Sequence, residues 1–195
     1  MFYILAAWTG FRKGELGSVT LRSFKLDGEY PTLAIRASYS KRKREDTQFL
    51  HPDVVVEFNA WLNEKNPGPD EILFPVSDKS SPFERKTSVM VEKDLVSART
   101  VWINEANSDE ERTARESSNF LKYVDSQGKY ADFHGLRHTF VTNLACANVS
   151  PKMAQTLARH SDIKLTMSIY SHVAPVEQAQ AIKSLPGFGK AKNGE

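Results

Sequence analysis

The run from Phe133 to Tyr170, FHGLRHTFVTNLACANVSPKMAQTLARHSDIKLTMSIY, constrains the fold more than any other stretch of this chain. Phe133, Leu136, Phe140 and Leu144 return at three- and four-residue intervals, the period that gathers apolar side chains on one face of a helix. Ser150 followed by Pro151 then reads as an N-cap with proline at the first helical position, opening a second helix through SPKMAQTLARH. SDIKLTMSIY supplies a third, short helix beginning around Ser161 or Asp162, with Tyr170 near its end. Helices this short owe their stability to an apolar face buried against a neighbour, so the region reads as helices packed on one another.

The rest of the chain changes period once and returns. Residues 1–8 carry helical apolar character that ends at Thr9-Gly10, and Arg12, Lys13 and Glu15 open a second helix closing near Leu21, which places Arg12 at a helix junction. From Phe24 to Leu50 the pattern is that of strands: FKLDGEYP holds an Asp27-Gly28 turn, and TLAIRAS and TQFL flank the loop YSKRKRED. That loop puts four positive charges, Lys41 to Arg44, at a hairpin tip. HPDVVVEFNAWLNEK is an amphipathic helix with Pro52 in its first turn and Val54, Phe58, Trp61 and Leu62 on its apolar face. MVEKDLVSARTVWINEA is another, through Val91, Leu95, Ala98 and Trp102, whereas NSDEERTARESSN reads as an exposed insertion. APVEQAQAIKSLPGFG gives a last amphipathic helix before a frayed tail, over residues 175–195. The predicted class is α+β, mainly α-helical with a small antiparallel β-sheet.

Composition excludes some functions. At 195 residues the chain is expected to be a single domain, 1–195, and no apolar run approaches the roughly 20 residues of a membrane span. The net charge of +2 does not by itself select nucleic acid, so the placement of charge matters more than its sum. Cys146, the single cysteine, lies between Ala145 and Ala147 and is expected to be a small buried thiol, and a chain without a disulfide framework fits a reducing, cytoplasmic location. A start in mid-helix with no capping residue reads as a piece cut from a longer protein, truncated at its N-terminus.

Two constellations could carry chemistry. His134 and Arg137, three apart on a helix, can address one small anion such as a phosphate, although a surface pair on an amphipathic helix looks the same in sequence. His134 and His138 have the spacing of two zinc ligands but lack the glutamate and third ligand that such a helix requires, so no metal is expected. His160 ends one helix ten residues before Tyr170. A lone tyrosine there is ordinarily a core residue, yet with Arg12, His134, Arg137, His160 and the basic hairpin it completes a nucleophile and its phosphate-neutralising groups.

TGFRKGEL, SKRKRE on a hairpin, FHGLRHTFVTNLA, LARHSDIKLT and the following Tyr170 stand in the order and approximate spacing of tyrosine recombinase (phage integrase) catalytic domains, and the chain resembles that family over nearly its whole length. The resemblance implies that Arg12 is the first catalytic arginine, Lys41 the hairpin lysine, His134 and Arg137 the H-x-x-R pair, His160 the later histidine and Tyr170 the nucleophile. Lys41 is preferred to Lys43 because Ser40-Lys41 matches the family's strand-end lysine. It further implies a DNA-clamping domain upstream, a double-stranded DNA substrate, a 3′-phosphotyrosyl intermediate, no cofactor, and a homotetramer in which residues 175–185 dock on a neighbouring subunit. Arg36, Arg42, Lys43 and Arg44 would contact DNA phosphates, unless the run is simply a solvated one. The stretch 104–130 is longer and more acidic than a compact member needs and is expected to be an extended loop. The alternatives are type IB topoisomerase chemistry and a catalytically idle DNA-binding module.

Overall fold

The computed structural model describes residues 1–40, 43–76 and 87–170, together with Lys183. Its helices are α1 (Phe2–Thr9), α2 (Lys13–Leu16), α3 (Pro52–Lys65), α4 (Thr87–Asn104), α5 (Asp109–Ser117), α6 (Gly135–Cys146), α7 (Pro151–Leu157) and α8 (Lys164–Tyr170). Strands β1 (Phe24–Lys25), β2 (Thr32–Ile35) and β3 (Asp46–Phe49) form one antiparallel sheet in that order. The predicted class is the observed one. No helix among the described residues is long and apolar enough to cross a membrane.

Local chemistry explains where most elements start and stop. His51 caps α3 by accepting the Asp53 amide, Pro52 occupies its first turn, and Asn66 ends it in the left-handed region at φ 44°. Ser150 caps α7, accepting from the Met153 amide at 3.3 Å. The second helix is shorter than its pattern suggests. It closes at Leu16, the chain turns through Gly17 and Ser18, and a single 3₁₀ turn covers Leu21–Ser23. Val19 interrupts any longer helix, because it is fully buried and its carbonyl accepts the Leu73 amide.

Two further expectations are corrected. The acidic stretch after α4 is not an extended loop: residues 109–117 form α5, capped by Ser108 and charged favourably by Asp109, Glu110 and Glu111 in its first turn. Two arginines dock it. Arg115 pairs with Glu111 at 2.6 Å and donates to the Trp102 carbonyl, while Arg99 of α4 donates to carbonyls of Arg115, Glu116, Ser118 and Phe120. Cys146, expected to be buried, is exposed at the last turn of α6.

The core is divided. A large cluster under the sheet joins Leu5, Phe11, Leu16, Leu33, Ile35, Val54, Phe58 and Phe133, and a small one joins Phe140, Val141 and Ala158 with Leu144, Leu157, Ile169 and Tyr170 around them. Helix α6 spans both, so the stripe read from sequence serves two cores: Phe133 and Leu136 face the first, Phe140 and Leu144 the second. On β3 the inward residues are polar. Asp46 pairs with Ile35 and Gln48 with Leu33, both acid and amide buried, while Phe49 is turned to solvent.

Gly10 lets α1 lie against α6. It ends α1 at φ 62°, and a Cβ there would stand 2.6 Å from the Phe140 ring. The left-handed backbone disfavours a side chain by about 1 kcal/mol and overpacking of the ring adds about 1–3 kcal/mol more. Gly10→Ala is therefore expected to destabilise the protein by about 2–4 kcal/mol in a denaturant titration. Gly14→Ala, where nothing lies within 4 Å of the new methyl, is expected to change stability by less than about 1 kcal/mol. Equal effects at the two positions would show that the α1–α6 approach is not tight.

Candidate active site

The site grows from the turn between α1 and α2. Gly10 closes α1, Phe11 drops into the core, and Arg12 follows as the N-cap of α2. Glu15, 2% exposed, orients Arg12: its two carboxylate oxygens accept the Arg12 backbone amide at 2.8 Å and the guanidinium Nη1 at 3.0 Å. Arg12 is left with about a third of its side chain open to solvent, which suits a cation meant to meet something from outside.

His134 and Arg137 come from the start of α6. His134 is its N-cap residue and is exposed, its ring meeting that of His138 edge-on at 5.5 Å. Among the described residues, no set of three such ligand side chains gathers into a metal site. Arg137, 5% exposed, donates one Nη to the Gly10 carbonyl and the other to the Ala158 carbonyl. Burial, followed by repulsion from Arg12 and Arg159, pushes Arg137 down to about 10, which still leaves it charged at neutral pH. Arg12, His134 and Arg137 line one cleft of about 450 Å³ beside Phe11 and Phe133. Read in the sequence as an anion pair or a surface pair, His134 and Arg137 thus share a concave site with Arg12.

Helix α7 ends at Ala158, and the turn that follows delivers Arg159 and His160. The His160 amide reaches the Gln155 carbonyl and the Arg159 amide that of Thr156, the paired bonds of a Schellman ending. Arg159 occupies its left-handed position at φ 54°, where a residue with a Cβ costs about 1 kcal/mol over glycine. His160 Nδ1 lies 3.0 Å from the Thr166 hydroxyl, which leaves Nε2 as the ring's outward nitrogen. Burial first, then the charges of Arg137, Arg12, His138 and Arg159, push His160 down to about 4, so its ring is neutral near pH 7. Burial first, then the charges of His138, Arg137 and Arg12, lower His134 as well.

Tyr170 is placed differently. It is half-buried at the end of α8, and its hydroxyl donates to the Val149 carbonyl in the α6–α7 connection at 2.7 Å. Burial raises its pKa above the ordinary phenol value. The hydroxyl proton is therefore committed to the backbone rather than to His134 or His160.

The hairpin is anchored beside the arginines. The buried Ser40 hydroxyl donates to Asp46 at 2.7 Å, and the Asp46 carboxylate acts on Arg137 electrostatically. Arg44 lies 3.5 Å from Asp46, while Arg36 and Lys43 are exposed. Lys41 and Arg42 lie outside the described residues. Sequence reasoning missed Glu15, Asp46, Arg159 and Thr166. Glu15, three after Arg12, carried a readable signal in the reciprocal capping pattern; Asp46 and Thr166 had none, because their partners are fixed only by the fold.

Comparison with known proteins decides the family: the family model described as "Phage integrase family" matches residues 1–177. The chain belongs to the phage integrase family. A tyrosine recombinase XerC-like protein of Caldanaerobacter subterraneus subsp. tengcongensis is 27% identical over 193 residues, covering 94% of this chain and 48% of that protein. The transposase of transposon Tn916 from Enterococcus faecalis is 39% identical over 53 residues, 27% of this chain and 13% of its own length. Among solved structures, XerA recombinase aligns over 94% of this chain and 55% of its own with a TM-score of 0.55 at 18% identity. The Tn1549 transposon integrase in complex with transposon right end DNA aligns over 93% and 56%, with a TM-score of 0.54 at 15% identity. These likenesses establish the fold, and the chain spans about half the length of the relatives it matches.

The depressed His160 sets a pH dependence. Between about 4 and the ordinary 6.5 the unfolded chain binds a proton that the folded one refuses, so stability rises with pH through this window and is lost as pH falls through it. His134 acts in the same direction. The melting temperature is expected to drop on acidification from pH 6.5 to 5, above the carboxylate range, and His160→Gln is expected to flatten that drop. An unchanged slope in the variant would mean that His160 is not held neutral.

Proposed function

We propose that this chain is the catalytic domain of a site-specific DNA recombinase that cleaves and rejoins DNA through a 3′-phosphotyrosyl link to Tyr170. The observation that carries the reading is the cleft shared by Arg12, His134 and Arg137, with the neutral His160 held within their electrostatic reach.

A phosphodiester under attack gathers negative charge on its non-bridging oxygens, and two guanidiniums fixed by Glu15 and by the Gly10 and Ala158 carbonyls are poised to receive it with little reorganisation. His160, its Nδ1 engaged by Thr166, offers Nε2 to the same phosphate. His134, lowered and therefore neutral near pH 7, is the base that takes the Tyr170 proton. Tyr170 Oη then bonds to phosphorus, the P–O5′ bond breaks, and the departing oxygen takes a proton from Lys41. For this Tyr170 must leave Val149, so attack follows a movement of α8 or of the α6–α7 connection. The new ester keeps the energy of the old bond, so a 5′ hydroxyl of another strand reverses the step without a cofactor.

Arg36, Arg42, Lys43 and Arg44 serve as phosphate contacts on the hairpin, whose base is pinned by Ser40 and Asp46. The working form is a homotetramer on two duplexes in the cytoplasm, with a DNA-clamping domain upstream; the segment 175–185 to which the resemblance gives subunit docking lies, apart from Lys183, outside the described residues.

Covalent trapping on a nicked random-sequence duplex pool, resolved on a denaturing gel, tests the reading. A slow band is expected for the wild type and none for Tyr170→Phe, with DNA affinity kept within about twofold because one hydroxyl adds little to a phosphate-dominated interface. An equal band in the variant would overturn the assignment of the nucleophile, and no band with cognate DNA would overturn the recombinase reading. Relaxed circles without exchanged partners would point instead to topoisomerase chemistry.

A further inference from the structure

We propose that Arg159 is a positioning residue that holds Arg12 and Arg137 in place for attack on the phosphate, an inference that rests on the recombinase reading above. Its backbone is the first sign. Among the described residues the other left-handed positions that close helices are Gly10, Asn66 and Asn148, residue types that tolerate this conformation, whereas the end of α7 uses arginine at φ 54°. A backbone kept in a disfavoured state, with the side chain almost fully buried, points to what that side chain does.

Its guanidinium reaches back to the turn between α1 and α2, roughly 150 residues earlier in the chain. Nη1 donates to the Thr9 carbonyl at 3.4 Å and Nη2 to the Gly10 carbonyl at 3.0 Å. Nη2 also stands 3.6 Å from Glu15 Oε2, and the guanidinium carbon lies 4.0 Å above the Phe11 ring. Two of these partners lead straight to the proposed phosphate-binding arginines. The carboxylate of Glu15 orients Arg12, and the carbonyl of Gly10 also receives Arg137. Arg159 itself is not among the residues lining the cleft that Arg12, His134 and Arg137 share, so it acts through them.

A second consequence concerns His160. Because Arg159 is the residue just before it, the clamp that fixes the α1–α2 turn also fixes where the chain presents that histidine. Removing the guanidinium loosens the carboxylate and carbonyl to which the phosphate-binding arginines are tied, and a displacement of about 1 Å at a reacting centre can cost about 100-fold in rate. Affinity for DNA, set by the exposed hairpin cations, is little touched.

Arg159→Gly supplies the residue this backbone prefers, and Arg159→Lys keeps the charge without the planar fork. With a nicked cognate duplex at saturating concentration, single-turnover formation of the Tyr170 adduct is expected to slow by about 10- to 100-fold in Arg159→Gly, with Kd within about twofold of wild type. Arg159→Lys is expected to recover part of that loss. Glu15→Gln is expected to slow cleavage by itself but to add less than about threefold to Arg159→Gly, because both act on Arg12 through one carboxylate. Wild-type cleavage by Arg159→Gly, a multiplicative double variant, or a rate loss matched by an equal loss of affinity and folded fraction would each overturn the positioning role. A wild type that forms no adduct would overturn the recombinase reading and this inference with it, whereas an active wild type with an unimpaired Arg159→Gly would sink this inference alone.

Discussion

Two guanidinium groups converge on the carbonyl oxygen of Gly10, and the candidate site depends on that one acceptor. Arg137 reaches it from the first turn of α6 and Arg159 from the end of α7, so three chain segments distant in sequence meet at a single backbone atom. Like charges brought this close repel, and that repulsion adds to burial in lowering Arg137. The fold offsets the repulsion with groups that need no proton: the carbonyls of Thr9 and Gly10 at the end of α1 and of Ala158 at the end of α7. Helix C-termini carry partial negative charge, which makes them natural seats for cations. Glu15 and Asp46 add two buried carboxylates whose charge acts against the lowering of Arg137.

That arrangement explains what could be read from the sequence and what could not. The capped helices at Pro52 and Pro151, the three strands and the end of α1 at Gly10 are written in local chemistry and follow from residues close in the chain. Helix α5 was hidden because DEERTARES has no apolar stripe: it is held by Arg99 and Arg115 capturing carbonyls, a tertiary effect without a periodic signature. Cys146 sits at the edge of a short cluster whose extent no local pattern reveals. At the candidate site the residue types with unusual chemistry stood out, but their supports did not. Glu15 was visible three residues after Arg12, while Asp46, Arg159 and Thr166 take their meaning from partners that only the folded chain brings near.

The division of the core into two clusters has a similar logic. Helix α6 carries His134 and Arg137 over the large cluster and Phe140 over the small one, so one rigid rod links the cleft to the helices that present His160 and Tyr170. Tyr170 belongs to the smaller body, which among the described residues buries fewer apolar side chains than the sheet-side core.

Under the role proposed for Tyr170 as nucleophile, its hydrogen bond to Val149 turns reactivity into a question of populations. A phenol whose proton is committed to a backbone carbonyl is spent until that bond opens, and a net hydrogen bond of about 1 kcal/mol leaves roughly one molecule in six with the hydroxyl released. On that reading the fraction multiplies the rate of attack, and any neighbour or bound duplex that prefers the released form raises it by mass action alone.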